Sequence, residues 1–97
     1  MEDKALRKRI EQYAIDNDLE IVFFKNPSFD QSIIGISEDG KLIYNYNNMI
    51  YEFMEDNQCS WEDTVEFIEY NTIRSLHYIP DHPIVLRETI LTLKEKY

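Results

Sequence analysis

Residues 32–46 read SIIGISEDGKLIYNY, two apolar-rich runs separated by Glu38, Asp39 and Gly40. An Asp-Gly pair between such runs is the strongest short-range signal for a β-hairpin, because a type I′ turn needs positive φ angles. The stretch therefore predicts a hairpin over about residues 32–45. Gly35 interrupts the first run, which indicates a β-bulge or a close backbone contact there.

The segment before the hairpin predicts one helix and one strand. A helix over about residues 3–16 follows from apolar residues at i, i+4, i+7 and i+8, namely Leu6, Ile10, Tyr13 and Ala14. The run IVFF at Ile21–Phe24 is β-branched and aromatic, and it predicts a buried strand.

Two helices are predicted after the hairpin. Asn45 or Asn47 is a suitable N-cap for the first and Ser60 for the second. Their apolar stripes are Met49, Ile50, Phe53 and Met54 in the first helix and Trp61, Val65, Ile68 and Thr72 in the second. The prolines of HYIPDHP end this helical section.

The C-terminal stretch PIVLRETILTLKEKY fits two structures. Helical spacing relates Leu86, Ile90, Leu93 and Tyr97, whereas the many β-branched residues favour a strand near residues 84–91. We expect the strand.

Together these elements predict a single α+β domain over residues 1–97. It has an N-terminal helix, a small antiparallel sheet built on the Ile21–Phe24 strand and the hairpin, and two acidic helices packed on one sheet face. A chain of 97 residues with 43% hydrophobic residues has the size and composition of one folded domain.

The net charge of −9 opposes unaided binding to nucleic acids or anionic membranes, because such ligands gain affinity from Lys and Arg. The charged start of the sequence has no apolar signal-peptide core, and we expect a cytoplasmic protein. The single cysteine, Cys59, excludes an internal disulfide and fits a reducing compartment.

The predicted helices after the hairpin carry carboxylates without the Lys residues that usually separate them. Such a block is typical of a solvated face, or of a surface that binds Lys and Arg on a partner protein. As partner-binding residues we expect two tyrosines beside these carboxylates and six of the acids: Tyr51, Glu52, Glu55, Asp56, Glu62, Glu66, Glu69 and Tyr70. Arg74 lies within reach of Tyr70 or Glu69 near a helix end, which indicates a structural clamp or a partner contact.

Catalytic patterns are weak, and we expect neither an enzyme nor a bound cofactor or metal. Cys59 precedes a predicted helix start, but nothing places His77 or His82 beside it. His77, Asp81 and His82 do not have a familiar metal-ligand spacing. A helix-turn-helix over residues 46–74 would need a basic second helix, and this one is acidic.

The phrases NPSFDQSIIGI, EDG and SWEDTVEFIEYNTIR, within about Asn26 to Leu86, resemble a group of small acidic proteins from Gram-positive bacteria, their phages and mobile elements. The resemblance implies the α+β order above, with a strand at Ile84–Leu86. By size and charge alone, the chain also resembles phage-borne inhibitors of host defence, including anti-CRISPR proteins.

Two functions from different classes follow. The first is an interaction module that inhibits a basic, nucleic-acid-handling defence protein, such as a CRISPR effector, with nucleic-acid mimicry as one form of it. The second is a non-inhibitory accessory or structural domain, whose acidic block only keeps it soluble or whose apolar face forms a homodimer.

Overall fold

A computed structural model describes residues 2–96, apart from the side chains of Leu91, Thr92 and Lys96. The chain folds as α+β in the order α1 (Lys4–Asp16), β1 (Ile33–Ile36), β2 (Leu42–Asn45), α2 (Tyr46–Asn57), α3 (Trp61–Phe67), β3 (Ile84–Leu86) and α4 (Ile90–Lys96). A π-helical segment at Ile68–Ile73 and a 3-10 helix at Arg74–Tyr78 continue α3 without a break. The predicted fold class is confirmed.

The hairpin prediction is confirmed, with β1 antiparallel to β2 and a register shift between Ile33 and Gly35 that marks the expected bulge. The turn itself differs from type I′. The Ser37 N–H donates to the Lys41 carbonyl (2.8 Å) and the Gly40 N–H to the Ser37 carbonyl (3.0 Å), so three residues form the loop. Gly40 supplies the positive φ of 89°. A loop of this length needs such an angle at its last residue.

The third strand, β3, pairs with β2 in parallel, and the sheet order is β1-β2-β3. The strand expected near residues 84–91 is therefore correct for Ile84–Leu86 only. Helix α4 begins at Ile90, where the Leu93 N–H donates to the Thr89 carbonyl (3.0 Å), as the helical spacing had indicated. Tyr97 lies outside the described residues.

The strand predicted at Ile21–Phe24 is wrong, because this segment does not join the sheet. Side chains take the place of a neighbouring strand at Phe24: its N–H donates to Tyr44 Oη (3.1 Å) and its carbonyl accepts from Arg7 Nη2 (3.1 Å). The apolar side chains still enter the core, and Phe24 is buried.

The hydrophobic core gathers residues from α1, the three strands, α2, α3 and the segment Ile21–Phe24. Leu42 and Tyr44 of β2, Met49 and Ile50 of α2, and Ile68 are almost completely buried. Phe53 and Phe67 stack with their ring centroids 4.4 Å apart and so hold α2 against α3. This packing fixes the directions in which the acidic residues of both helices point.

The starts of α2 and α3 match their predicted caps. Asn45 Oδ1 accepts from the Asn48 N–H (2.9 Å), and Ser60 Oγ accepts from the Asp63 N–H (3.1 Å). Within residues 2–96, no helix combines the length and the apolar character needed to cross a membrane.

Candidate functional site

The carboxylates of α2 lie along a shallow groove of about 320 Å³ that Gln31 and Asn48 complete. We define the α2 cluster as the predicted site residues on this helix: Tyr51, Glu52, Glu55 and Asp56. Glu55 and Asp56 are exposed. Glu52 is half-buried and accepts a hydrogen bond from Ser32 Oγ (2.9 Å), so one member already has a structural contact.

The second acidic group, the α3 cluster, comprises Glu62, Glu66, Glu69 and Tyr70. Glu62 lies in the first turn of α3, where the helix dipole stabilises a carboxylate. Glu62 and Glu66 are exposed, and they lie at i and i+4, the spacing at which like charges repel by a few tenths of a kcal/mol, or roughly 0.2–0.5.

Glu69 is bound within the molecule. It accepts from Tyr46 Oη (3.0 Å), and Arg87 Nη2 lies 3.0 Å from each of its oxygens. The Arg87 guanidinium also lies 4.4 Å from the centre of the Tyr46 ring. Burial first, and then the hydrogen bond to Glu69, raise the pKa of Tyr46, while the bond to Glu69 raises the pKa of Arg87. Glu69 thus anchors the end of β3.

The two clusters diverge across the sheet. Glu52 contacts Ser32, directly before β1, and Glu69 contacts Arg87, directly after β3. Because β2 lies between β1 and β3, these contacts are at opposite edges of the sheet. The structure therefore separates the ends of the predicted acidic face instead of bringing all six carboxylates together.

An aromatic pair joins the two clusters. The rings of Tyr51 and Trp61 meet edge to face with centroids 5.5 Å apart, although their side chains are 61% and 42% exposed. Trp61 was expected in the apolar stripe of its helix, but its position beside Tyr51 leaves much of the ring in solvent. Since Glu62 follows Trp61 directly, the pair lies between the carboxylates of α2 and those of α3.

Three of the predicted acids keep an unneutralised charge. Among residues 2–96, no ion pair involves Glu55, Glu62 or Glu66. Because these carboxylates have no ion-pair partner in the described chain, they are available to a cationic side chain of another protein. Surface ion pairs contribute little to stability, so their absence does not weaken the fold.

Tyr70 is 66% exposed, as expected for an anchor, and Tyr51 is similarly accessible. The Arg74 guanidinium lies 4.9 Å from the centre of the Tyr70 ring, which confirms the predicted contact. Together with Glu66, Glu69 and Ile73, these two residues line a concavity of about 350 Å³. The π-helical turns at Ile68–Ile73, a geometry frequent at functional sites, place Glu69 and Tyr70 there.

A buried ion pair was missed by sequence reasoning. Arg7 Nε and Nη2 donate to the two oxygens of Asp30 (2.7 and 2.9 Å), and the Asp30 side chain is fully buried. The bond to Asp30 raises the pKa of Arg7. No sequence signal links a charged residue of α1 with an aspartate 23 positions later, at the start of the 3-10 helix Asp30–Ser32.

The residues considered for catalysis have ordinary local contacts. Cys59 is half-buried with Sγ 3.6 Å from the Asn57 carbonyl, and His82 Nδ1 lies 2.8 Å from the Pro83 carbonyl oxygen. Within the described part of the chain, no three His, Cys, Asp or Glu residues are grouped as metal ligands would be.

No protein-family model, curated protein or solved structure matches the chain.

Proposed function

We propose that the chain is a non-catalytic, cytoplasmic interaction module that binds a basic protein surface. The supporting observation is that the exposed Tyr51–Trp61 pair lies between Glu55 on one helix and Glu62 and Glu66 on the next, three carboxylates with no ion-pair partner among residues 2–96. Aromatic side chains supply contact area, and the surrounding carboxylates supply charge complementarity to Lys and Arg.

The acidic residues have unequal roles in this proposal. Glu55, Glu62 and Glu66 face the partner, while Glu52 and Glu69 hold the helices to the two sheet edges through Ser32 and Arg87. Asp56 contributes charge at the rim of the α2 groove. Tyr70 extends the binding surface beyond Glu66 along the same concavity.

The partner class that fits best is a nucleic-acid-handling protein. Such proteins present Lys and Arg for phosphate groups, and a small body of charge −9 is complementary to that surface. Binding there blocks nucleic-acid access by steric and electrostatic occlusion. A phage or mobile element would use this activity against a host defence protein such as a CRISPR effector.

A pull-down with two matched variants tests the proposal. The surface variant carries Glu55→Gln, Glu62→Gln and Glu66→Gln, and the control variant carries Glu11→Gln, Glu20→Gln and Glu38→Gln on other elements. Both remove three exposed negative charges. From cells that contain CRISPR or restriction systems, the native chain and the control variant should capture the same basic protein, and the surface variant should lose it. Retention by the surface variant would refute the proposal, and so would equal loss by both variants.

A further inference from the structure

The segment Ile21–Phe24 has the composition of a strand, but only Phe24 makes backbone hydrogen bonds to the rest of the described chain. At Phe24 the N–H is held by Tyr44 and the carbonyl by Arg7, whose guanidinium also lies 4.4 Å from the centre of the Phe23 ring. Because Arg7 is itself fixed by the buried Asp30, the inner side of the segment is rigidly positioned.

The preceding residues have no such partners. Within residues 2–96, the backbone N–H and carbonyl groups of Ile21, Val22 and Phe23 make no hydrogen bond to the protein. None of these three residues has positive φ, and all are half-buried. These residues belong to no helix, strand or turn, so no secondary structure of the protein occupies their backbone groups.

An apolar groove of about 430 Å³ runs beside this segment. Val22 and Phe23 line one wall, and Asn71, Thr72, Ser75 and Ile79 line the other. Lys25 is the only charged residue among the described residues of the lining, and no ion pair within residues 2–96 involves it. The Arg7 guanidinium at the Phe23 ring adds no free charge, because it is paired with Asp30.

We propose that Ile21–Phe23 is a docking edge for an extended peptide segment of a partner protein, which pairs with it as an added strand. The unpaired backbone groups supply the hydrogen bonds, and an apolar side chain of the peptide enters the groove. Lys25 selects a peptide with a carboxylate at the Lys25 end. This edge shares no residue with the α2 and α3 clusters, so a negative result for one binding surface does not count against the other.

A titration followed by NMR tests the docking edge. The probe is the peptide acetyl-Glu-Val-Thr-Val-Thr-amide, added to the ¹⁵N-labelled full chain. The amide signals of Ile21 and Phe23 should shift, and these amides should exchange with solvent more slowly. The same peptide with both valine nitrogens methylated keeps its side chains but loses backbone donors, and it should bind at least about tenfold more weakly because strand pairing depends on those donors.

Two lysine variants test whether Lys25 selects the charge of the peptide. Lys25→Gln should weaken the Glu peptide several-fold and leave the corresponding Gln peptide unchanged, while Lys41→Gln, at the hairpin turn, should alter neither. Shifts confined to other surfaces, or equal binding of the methylated peptide, would overturn the proposal. The same amides shifting with protein concentration alone would also overturn it, because a second copy of the chain would then be the occupant.

Discussion

Arg7 and Asp30 form a two-point ion pair that ties α1 to the loop before β1, with N–O distances of 2.7 and 2.9 Å. Asp30 also accepts from the Asp3 backbone N–H (2.7 Å), so its buried carboxylate is held on both sides. A buried charge is tolerated only with such partners, and this pair therefore makes the position of α1 dependent on one arginine.

Replacing Arg7 should destabilise the fold strongly. In Arg7→Ala the fully buried Asp30 carboxylate loses its counter-ion, and removing one member of a buried pair lowers the free energy of unfolding by about 3–5 kcal/mol. Urea unfolding measures the change. The exposed Arg9→Ala is the control and should stay within about 0.5 kcal/mol of the native chain. A similar small effect for Arg7→Ala would show that the pair does not hold α1.

Tyr44 should make stability depend on pH in the alkaline range. Burial raises the pKa of Tyr44 to about 12, whereas an unfolded tyrosine titrates near 10. The folded state therefore binds the phenol proton more tightly than the unfolded state does. The resulting stabilisation of the fold is fully present below pH 10 and is lost as the pH rises towards 12.

The difference between the native chain and Tyr44→Phe isolates this effect. Between pH 8 and 11.5 the urea midpoint of the native chain should fall more steeply than that of the variant, since both contain the same remaining titratable groups. Absorbance at 295 nm should show one phenol fewer among the late-titrating tyrosines of Tyr44→Phe. Parallel midpoints at all pH values would contradict the assigned environment.

Of the three acids in the α3 cluster, Glu69 should contribute most to the free energy of unfolding. Glu69→Gln loses the exposed ion pair to Arg87 and weakens the bond from Tyr46, which together lower the free energy of unfolding by about 1 kcal/mol. Glu62→Gln and Glu66→Gln should change it by less than about 0.5 kcal/mol, because neither has an ion-pair partner among residues 2–96. Thermal and urea unfolding of the three single variants make the comparison. Equal effects would mean that Glu69 is not an anchor.

The two glycines should differ in their tolerance of alanine. A Cβ on Gly40 would sit 3.2 Å from Leu19 Cβ with φ at +89°, and the left-handed conformation alone disfavours alanine by about 1–2 kcal/mol. A Cβ on Gly35 would meet only Ile43 Cδ1, at 4.0 Å, so Gly35→Ala should be nearly neutral. Chemical denaturation gives both values. An equal loss at the two positions would argue against the described turn.

Local signals predicted much of this fold. The Asp-Gly turn, the Asn45 and Ser60 caps and the apolar spacing of α1 and α2 depend on neighbours within a few residues, and those elements form where expected. The Ile21–Phe24 strand was mispredicted because its composition is that of a strand, while Tyr44 and Arg7, both distant in sequence, bind the backbone at Phe24.

The site was predictable only in part for the same reason. The sequence correctly predicted that Tyr51 of α2 and Tyr70 of the π-helical segment are exposed, but it placed Trp61 in the apolar stripe of its helix. The separation of the clusters depends on Ser32 and Arg87, 20 and 18 positions from their glutamates. The Tyr51–Trp61 contact depends on how the helices pack. None of these pairings follows from spacing within one helix.

In the proposed function, Glu55, Glu62 and Glu66 bind a basic protein beside the Tyr51–Trp61 pair. The most direct test of this binding is the affinity of the captured partner for the native chain, the surface variant and the control variant, measured at about 50 mM and 300 mM salt, between which exposed charges become strongly screened. The native chain and the control variant should bind alike and weaken with salt, and the surface variant should bind at least about tenfold more weakly at low salt. Equal affinity of the surface variant and the native chain at low salt would show that these three carboxylates do not bind the partner.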